Sequence, residues 1–590
     1  MKENLKGGGF LTSETKANEI FILEEFNEEA RMMLDATKEF NEKEIKPNIF
    51  EFEKKNYALT EKLMKKIGEM GLLGITVPEK YGGLGMGLNV SMLICGEISS
   101  YSGSIATAYG AHTGIGTLPI LFYGSEDVKE KFLPKICSGE WMSCYNLTEP
   151  NAGSDANSGK TIAVYNEENE CYEITGQKIW ISNAGFAEVF IVFGKIDDDE
   201  NITGFVLEKS KSNGITLGEE ESKLGLHASS TRQVFYDKTV VPKNQMLGIR
   251  GNGFKIALNA LNVGRIKLGA ATGTAAIKVL NESIKYAIER KQFGKSISDF
   301  GAIQEKLATM ATSIYTTFSG LYRAGYNIEQ NTKRLESLGI EECEAKKDGV
   351  LEYSIECSII KVHGSEVIRD VSDEAIQIFG GMGFSAESIV EPAYRDARIS
   401  RIYEGTNEIN RMLAFGELIK RGFQTKELNL KSAGKKIPTA LIKRYFKIGK
   451  LTAENVIQNY KYLFLLLSKY AADSFGLDLE HEQEIIMNLS DIMGETYVAE
   501  SVFLRVEKIK LQKGNSIDLE HKENLKRLQL YEANLKIVHC ANTIVDSLPD
   551  TKNKLLRLYI RLLTPQPILN PTKIRRSLAK YIIEKKDYPW

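Results

Sequence analysis

The ten residues RIYEGTNEIN, at positions 401–410, place two glutamates, Glu404 and Glu408, four positions apart. Glu404 lies between an aromatic residue and a Gly-Thr step, and the residues after it have a helical pattern. A carboxylate at the start of a helix is stabilised by the helix dipole, so a purely structural role would explain it. The alternative is that Glu404 is a catalytic base, and the rest of the chain must then supply what that base acts on.

The residues before this stretch predict a helix–strand–helix plan. Residues 20–140 have apolar residues at helical spacing, interrupted by the glycine-rich loop VPEKYGGLGMG (77–87). From 141 to about 245 the chain changes to short runs rich in Val, Ile, Phe and Tyr, which predict a β-domain. These runs are KTIAVYN, CYEITGQKIWISN, VFIVFGKI, GFVLEK and RQVFYDKTVV. Long helical patterns then return, with one or two helices over 254–293 and another over 301–330. Residues 344–370 continue this set of patterns, and IQIFGGMGF (376–384) breaks it.

We predict four domains from this plan. Residues 1–140 and 251–428 form helical domains on either side of a β-domain at 141–250, and residues 429–590 form an additional helical domain. Residues 431–590 carry 27 lysines and arginines against 18 aspartates and glutamates, a net charge of +9, whereas the remainder has a net charge of −11. A basic part on an acidic body predicts a surface for anionic partners, although a solvated lysine-rich face would have the same composition.

The overall composition is that of an ordinary soluble globular protein. Of the 590 residues, 43% are apolar and 26% are charged. The N-terminus lacks the apolar core of a secretory signal, and the apolar run YLFLLL (462–467) is far shorter than the ~20 residues of a membrane helix. The seven cysteines contain no CxxC pair, and HEQEI (481–485) lacks the second histidine of a helical zinc motif. We therefore expect reduced thiols in the cytoplasm, with no disulfide framework and no metal site.

Five stretches along the chain share one resemblance. They are YNLTEPNAGSD (145–155), KIWISNA (178–184), RKQFGKSISDF (290–300), QIFGGMGF (377–384) and YRDARISRIYEGTNEINR (394–411). In this order, over roughly residues 20–425, they resemble the acyl-CoA dehydrogenase flavoprotein family. The long helical extension, together with LNVGR (261–265) and DFGAIQEKL (299–307), resembles the very-long-chain branch of that family.

This resemblance implies a fold and a reaction. The fold is α+β and mainly α, with an N-terminal helical domain, a middle β-barrel, a C-terminal helical bundle and an extra C-terminal helical domain. The reaction is FAD-dependent removal of two hydrogens from the α and β carbons of a long-chain acyl-CoA thioester, which gives a trans-2-enoyl-CoA in fatty acid β-oxidation. An electron-transferring flavoprotein would accept the electrons.

The resemblance also implies roles for residues around the thioester. Glu404 would take the α proton while the β hydrogen leaves as hydride to flavin N5, and Gly405 would let the backbone approach the substrate. The backbone N–H of Glu404 and a flavin ribityl hydroxyl would donate to the thioester oxygen, as in an oxyanion hole. Ser154 and Arg265 would contact the substrate, although an ordinary helix-surface arginine is the alternative for Arg265. A rival base position of the family corresponds to Gly264, which cannot act as a base.

The cofactor cradle is implied in the same way. Amides and hydroxyls of 145–155 would bind the flavin and the pyrophosphate, and Trp180 would cover the isoalloxazine edge unless it is a core residue of the β-domain. Arg290 and Gln292 would contact phosphates across a subunit interface, which implies a homodimer. FGGMGF (379–384) does not follow a strand in a βαβ unit, so NAD is disfavoured. The implied cofactor-binding residues are Tyr145, Leu147, Thr148, Gly153, Ser154, Trp180, Ser182, Arg290, Gln292, Phe300, Gln377, Gly380, Gly381, Thr406 and Glu408.

Two positions depart from the family pattern, and one glycine row stands out. His227 occupies a position that is often arginine, and Gly301 stands where many relatives have a glutamine beside the flavin.

In YGAHTGIGT (109–117) three glycines lie in a helical context, where each costs up to ~1 kcal/mol relative to alanine. An open tunnel floor for a long acyl tail would explain Gly110, Gly114 and Gly116, and so would close helix packing.

Several functions stay open at this point. The rivals are an acyl-CoA oxidase on the same scaffold and a non-catalytic flavoprotein that binds DNA or a protein partner, although no nucleic-acid motif is recognisable and we expect no nucleic acid. The extension could fill the space that a second dimer fills in other family members, or simply pack against the body. It could also rest on anionic lipid at the inner membrane surface through LIKRYFKIGK (441–450) and PTKIRRSLAKYIIEKK (571–586).

Overall fold

The computed structural model describes residues 6–513, 517–549, 553–566 and 569–590. Its N-terminal part is helical, as predicted. Three of its helices begin behind Asn27, Asn56 and Ser125, whose side chains accept hydrogen bonds from the first-turn N–H groups. The helix that begins at Gly103 continues as a π-helical segment, Ala111–Gly116. The α-helices of this part are α1 (Glu28–Phe40), α2 (Ile49–Glu53), α3 (Tyr57–Glu69), α4 (Leu88–Ile98), α5 (Gly103–Gly110), α6 (Leu118–Tyr123) and α7 (Glu126–Ser138).

The middle part is one eight-stranded mixed sheet. Its strands are β1 (Ser143–Asn146), β2 (Ile162–Asn166), β3 (Cys171–Ser182), β4 (Val189–Ile196), β5 (Ile202–Glu208), β6 (Ile215–Glu220), β7 (Thr231–Pro242) and β8 (Met246–Leu247). The hydrogen-bonded order is β6-β7-β3-β2-β4-β5-β8, and β1 pairs in parallel with β4. The five predicted runs are β2, β3, β4, β5 and β7, so the prediction of strands is confirmed. The resemblance implied a barrel. The hydrogen-bonded path in the described residues is instead an open sheet, which ends at β6 on one side and at β8 on the other.

Long helices follow the sheet. Residues 254–293 contain a single 37-residue helix rather than two. This helix packs against its neighbours on several sides, so even Arg265 and Lys267 are buried. The elements are α8 (Gly253–Glu289), β9 (Lys291–Gln292), β10 (Lys295–Ser296), α9 (Gly301–Ser337), α10 (Glu342–Glu352), α11 (Ser354–Phe379), α12 (Val390–Ala397) and α13 (Asn407–Ile419). The glycines of 380–384 end α11, as predicted.

The C-terminal extension is helical and packs on this bundle. Its helices are α14 (Leu430–Gly434), α15 (Ile437–Tyr445), α16 (Ala453–Phe475), α17 (Gln483–Lys513), α18 (Ile517–Ser547), α19 (Asn553–Leu563) and α20 (Pro571–Lys585). Helix α17 contacts α9 and α13, where buried Arg323 pairs with Glu500 at 2.8 Å. The N-terminal segment joins the same body, because Phe10 is buried and Glu24 pairs with Arg505 at 3.0 Å. The division into four domains at the stated residues stays a prediction.

The two basic stretches of the extension have different environments. In 441–450, Ile442, Tyr445 and Phe446 are exposed, and Phe446 shows 66% of its surface. In α20 the apolar residues Ile574, Leu578 and Ile582 are buried, because this face packs on α9 and α18. Only the first stretch therefore presents an apolar and basic surface.

Two further expectations concern the cysteines and the membrane helices. All seven cysteines are buried, and none is in a disulfide, as predicted. Within the four described ranges, no helix is both long enough and apolar enough to cross a bilayer.

Candidate active site

Glu404 lies in a tight turn between a 3-10 segment, Arg398–Arg401, and the first turn of α13. The backbone is left-handed at two successive residues, with φ of 58° at Glu404 and 80° at Gly405. Gly405 adopts this conformation freely, whereas a residue with a Cβ loses roughly 1–2 kcal/mol. Thr406 then caps α13, because its Oγ1 accepts from the N–H of Ile409 at 3.2 Å. Glu404 is therefore held in an unfavourable backbone conformation, which such residues keep at functional sites.

Side chains from three helices, α8, α11 and α13, hold the carbonyls of this turn. Arg265 of α8 donates from Nε to the Glu404 carbonyl at 3.1 Å. Lys361 of α11 donates from Nζ to the Gly405 carbonyl at 2.7 Å and to Asn407 Oδ1 at 2.8 Å. Asn410 Nδ2 also donates to the Gly405 carbonyl, at 2.8 Å. The backbone N–H of Glu404 has no acceptor in the described residues, so it can donate to a ligand.

The carboxyl group of Glu404 is suited to accept a proton. The residue is partly exposed as a whole, but its Oε2 is buried and has no hydrogen-bond partner among the described residues. Burial raises the pKa of Glu404 to about 7, while the positive charges of Arg265 and Lys361 act in the opposite direction. Gly264 makes room for this carboxyl, because an added Cβ would lie 2.5 Å from Oε2. Because Gly264, at the rival base position, has no side chain, the Glu404 carboxyl can lie directly against α8.

Tyr145, a residue of the implied flavin cradle, lies near this turn, and the loop that it begins is held beside Trp180. Tyr145 is buried, its hydroxyl has no partner in the described ranges, and burial together with the nearby Glu404 charge raises its pKa well above the usual value. The Thr148 carbonyl accepts from the N–H of Ile179 at 2.9 Å, which places the 145–155 loop beside Trp180. Buried Lys178 supports this loop by donating to the Leu147 carbonyl at 3.1 Å.

Trp180 is not a core residue of the sheet. The pairing of β3 with β7 shifts register between Lys178 and Ile181, and Trp180 has a left-handed φ of 60° inside this bulge. As a result 55% of its surface is exposed, which is unusual for tryptophan. The alternative that Trp180 is a core residue is therefore wrong, and its contact with the flavin stays a prediction. Ser182 ends the same strand, paired with Thr231.

Six of the remaining implied cofactor residues form a second group, around the C-terminal ends of α8 and α11. Arg290 and Gln292 lie on an exposed hairpin whose tip, Phe293, shows 94% of its surface. Tyr286 of α8 stacks on Phe379 of α11 with ring centroids 4.1 Å apart, which joins this hairpin to the end of α11. The same region contains Phe300, which precedes α9. It also contains three residues at the end of α11, Gln377, Gly380 and Gly381.

No hydrogen bond or ion pair connects this second group with the Glu404 group in the part of the chain that the structure describes. Gly153, Gly380 and Gly381 each have open space where a Cβ would point, so a ligand can approach their backbones. Glu408 is exposed in the first turn of α13, and hydrogen bonds from its own backbone N–H and from Thr406 lower its pKa. The roles implied for these residues stay predictions.

The two departures from the family pattern have structural surroundings of their own. His227 Nδ1 lies 3.1 Å from Glu53 Oε2, and the N–H of Leu226 donates to Asp396 at 2.6 Å. These contacts tie the 223–229 loop to α2 and to α12. Gly301 lies against the guanidinium of Arg576 from α20, which would be 3.2 Å from an added Cβ.

Sequence reasoning missed the residues that hold the Glu404 turn. Asn407 and Asn410 lie in the motif at 394–411, but no role was predicted for them from the sequence. Lys361 lies outside all five stretches. One signal was present, because Lys361 interrupts the apolar run CSIIKVHG (357–364) on a buried helix. A charged residue at such a position needs a partner, and here the partners are the Gly405 carbonyl and Asn407.

Open space is present at two of the three glycines of 109–117 and, separately, next to α8. Of the three glycines in 109–117, Gly110 and Gly114 have nothing within 4 Å of an added Cβ, whereas Gly116 packs closely against Ser143. Next to α8, a cavity of about 550 Å³ is lined by Leu118, Leu121 and Val263 together with residues of α9 and α10. Val263 directly precedes Gly264, which contacts the Glu404 carboxyl.

Known protein families account for this architecture. Family models described as the acyl-CoA dehydrogenase N-terminal, middle and C-terminal domains match residues 27–140, 144–239 and 251–417. A further acyl-CoA dehydrogenase C-terminal domain matches residues 459–561 in the extension. A probable acyl-CoA dehydrogenase of Bacillus subtilis (strain 168) is 41% identical over 507 residues, which is 85% of each chain. The chain belongs to the acyl-CoA dehydrogenase family.

Two further relatives of this acyl-CoA dehydrogenase family member are informative. The very long-chain specific acyl-CoA dehydrogenase of Bos taurus mitochondria is 38% identical over 399 residues, 64% of this chain and 58% of the relative. The crystal structure of an acyl-CoA dehydrogenase from Bacillus anthracis, complexed with FAD, superposes with a TM-score of 0.95 at 37% identity, over 99% of this chain and 100% of the other. The predicted family, fold and enzyme class, an oxidoreductase, are confirmed, and the expectation of FAD agrees with the B. anthracis complex.

Proposed function

We propose that the protein is an FAD-dependent dehydrogenase of long-chain acyl-CoA thioesters, in which Glu404 removes the α proton. The observation that supports this most directly is the turn at Glu404. One residue combines a carboxyl oxygen that is buried and unpaired in the described residues, a pKa raised to about 7 and an N–H without an acceptor among those residues. A group that titrates near neutral pH is matched to general-base catalysis.

The chemistry asks two things of the chain. The α C–H of a thioester is a weak acid, so the base must be strengthened and the substrate acidified. Burial of Glu404 does the first, because it raises the pKa of the carboxyl to about 7. The N–H of Glu404 would do the second by donating to the thioester oxygen, where negative charge develops as the α proton leaves.

The cations beside the base complete the arrangement. Arg265 and Lys361 lower the pKa of Glu404 against the effect of burial, so part of the carboxyl is ionised at neutral pH. Arg265 is also buried beside the turn and hydrogen-bonded to Asn262 at 2.8 Å, which fixes its direction. When bound, FAD would supply the acceptor for the β hydrogen, which leaves as hydride.

The residues present fit an FAD molecule. The buried hydroxyl of Tyr145 has no partner in the described ranges, Trp180 offers an exposed ring beside the Thr148 loop, and Gly153 leaves its backbone open. These groups would hold the isoalloxazine and the pyrophosphate. The separate group at Arg290 and Gly380 would contact the cofactor of a second copy, which is why we propose a homodimer.

The preference for a long acyl chain rests on the glycines of 109–117. Gly110 and Gly114 have open space where a Cβ would point, as a tunnel floor requires, whereas Gly116 has the close packing of the alternative explanation. Substrates such as palmitoyl-CoA would therefore be preferred, and the electrons would pass to an electron-transferring flavoprotein.

A peripheral membrane contact would involve only the 441–450 stretch. Exposed Ile442, Tyr445 and Phe446 lie among Lys443, Arg444 and Lys447, the composition that anionic lipid surfaces attract. Co-sedimentation with anionic vesicles tests this part of the proposal. Replacing the three cations with glutamate should abolish salt-sensitive binding, whereas the same change at Lys580, Lys585 and Lys586 on α20 should not. Equal loss in both variants would mean that net charge alone acts.

Anaerobic titration with palmitoyl-CoA tests the central proposal. The FAD absorbance of the wild-type protein should bleach, and that of Glu404→Gln should not. Bleaching in Glu404→Gln would remove Glu404 as the base. Rapid reoxidation of the bleached flavin by air would indicate an acyl-CoA oxidase instead, and a wild-type protein that binds FAD without bleaching would indicate a non-catalytic role.

A further inference from the structure

Lys361 has an environment that packing alone does not explain. Its side chain is completely buried in α11, and both hydrogen bonds that it makes in the described residues go to the Gly405 carbonyl and Asn407 Oδ1. A buried ammonium is costly unless it is well paired, and a methionine would fill the same volume without that cost. The sequence therefore keeps a buried charge at one place, directly behind the turn that carries Glu404.

The atoms that Lys361 binds are those that set the geometry of the base. The Gly405 carbonyl follows the two left-handed residues, and Asn407 is the first residue of α13. Ser365, one turn further along α11, bonds to Asn407 Oδ1 at 3.1 Å and so holds the second partner of Lys361 in place. Because the direction of the Glu404 carboxyl and of its N–H depends on φ at Glu404, anchoring the next carbonyl fixes both.

We infer that Lys361 is a positioning residue for the reaction, which holds the Glu404–Gly405 turn so that the carboxyl and the N–H of Glu404 face the substrate together. This inference rests on the proposed function, because it takes Glu404 as the base. Burial lowers the pKa of Lys361 to about 7, while the Glu404 charge acts against that, so the two groups influence each other across the turn. The charged groups that face Lys361 are Glu404, Arg265, Glu408 and Arg411.

Two consequences separate positioning from a general contribution to folding. If the turn loosens, the rate constant of flavin reduction falls while the binding of product changes little, because a displacement of about 1 Å can cost up to roughly 100-fold in rate. In a plot against pH, the rate constant of flavin reduction should rise as Glu404 ionises. If the Lys361 charge is lost, this rise should move to higher pH, because the cation favours the ionised form of Glu404. Global destabilisation alone moves neither quantity in the folded protein.

The experiment compares Lys361→Met with Lys461→Met in the FAD-loaded, full-length protein. Lys461 is a matched control, because it is equally buried and its Nζ pairs with Glu500 and the Ser13 carbonyl, far along the chain from the turn. Hydrogen–deuterium exchange of peptides covering 401–412 is measured without substrate, and stopped-flow flavin reduction by palmitoyl-CoA is measured across pH 6–9. Dissociation constants for hexadecenoyl-CoA report binding.

We expect Lys361→Met to exchange faster over 401–412, to reduce its flavin about 10- to 100-fold more slowly and to bind hexadecenoyl-CoA within about threefold of wild type. Lys461→Met should leave all three unchanged. If the 401–412 peptides of Lys361→Met exchange at the same rate as those of the wild type, the inference is overturned. This holds whether or not palmitoyl-CoA reduces the flavin of the wild-type protein. Failure of the wild-type flavin to bleach, by contrast, refutes the proposed function while the exchange comparison still decides the anchoring role.

A second variant covers the case in which Lys361→Met does not fold. Asn407→Ala removes one of the two acceptors of Lys361 and leaves the ammonium paired with the Gly405 carbonyl. It should raise exchange over 401–412 and slow flavin reduction in the same direction by a smaller factor. An Asn407→Ala protein that matches wild type in both measurements overturns the inference.

Discussion

Replacing Glu404 with glutamine should remove activity and, at the same time, stabilise the protein at neutral pH. Burial raises the pKa of this carboxyl from 4.5 to about 7. The folded state therefore holds its proton more tightly than the unfolded state does, and stability is lost as pH rises from the unfolded pKa to the folded one. Glutamine has no proton to lose, so the variant escapes this loss.

The size of the effect follows from the shift. One pKa unit corresponds to about 1.4 kcal/mol, so a shift from 4.5 to about 7 corresponds to an upper limit of about 3.4 kcal/mol above pH 7, most of which arises between pH 5 and pH 7. With an unfolding entropy of about 2 cal/mol/K per residue, this equals about 3 °C in Tm if the 590 residues melt as one unit. A smaller cooperative unit would give a larger shift.

Calorimetry at two pH values measures this effect. The Tm of Glu404→Gln should exceed that of the wild type by about 3 °C at pH 8 and by less than about 1 °C at pH 5, with FAD content matched. Glu408→Gln is the control, because the pKa of Glu408 is lowered and its replacement should give no stabilisation that grows with pH. A Tm gap for Glu404→Gln that is equal at both pH values would refute the claim that the carboxyl is desolvated.

Three further predictions concern other parts of the molecule. Gly114→Leu should place a side chain in the open space beside the π-helical segment and lower the palmitoyl-CoA to octanoyl-CoA activity ratio by about tenfold or more, and an unchanged ratio in the two assays would exclude the tunnel floor. Arg265→Gln removes a cation that lowers the pKa of Glu404, so the rising limb of flavin reduction should move to higher pH in stopped-flow profiles; a limb that stays in place would mean that Arg265 does not act on the base. Replacing both carboxylates that pair with Arg411, in the double variant Glu366→Gln/Asp491→Asn, should lower Tm measurably, because a buried ion left without its partners is destabilising by about 3–5 kcal/mol, and a Tm within 1 °C of wild type would contradict this.

The sequence predicted the parts of the site that are encoded by contiguous residues. Glu404 and Gly405 stand next to each other, so their motif is visible in one stretch. Lys361 could not be found in the same way, because it reaches the turn from a helix more than 40 residues earlier and only the packing of α11 beside α13 brings the two together. The periodicity of a sequence predicts which residues share a face of a helix, but it does not predict which element packs against that face.

The same limit explains two other outcomes. The stretches 441–450 and 571–586 both look basic and amphipathic, but α20 turns its apolar face toward α9 and α18, whereas Tyr445 and Phe446 remain exposed. Trp180 reads as a strand residue, and its surface position results from a register shift between β3 and β7 that no local pattern marks. In both cases long-range pairing decides, and a single sequence carries no direct record of it.

The contact between α17 and α13 has a consequence for how the enzyme behaves on dilution. Ser490 Oγ donates to the Arg411 carbonyl at 2.7 Å, and Asp491 pairs with the Arg411 side chain, so the helix that follows the Glu404–Gly405 turn is braced by residues of the same chain. A brace supplied by a neighbouring molecule would be lost whenever the assembly dissociated, since its occupancy follows mass action. A tethered brace keeps a constant effective concentration however dilute the protein becomes. A chain cut after residue 428 would return this face of α13 to solvent and would have to recruit another molecule to cover it.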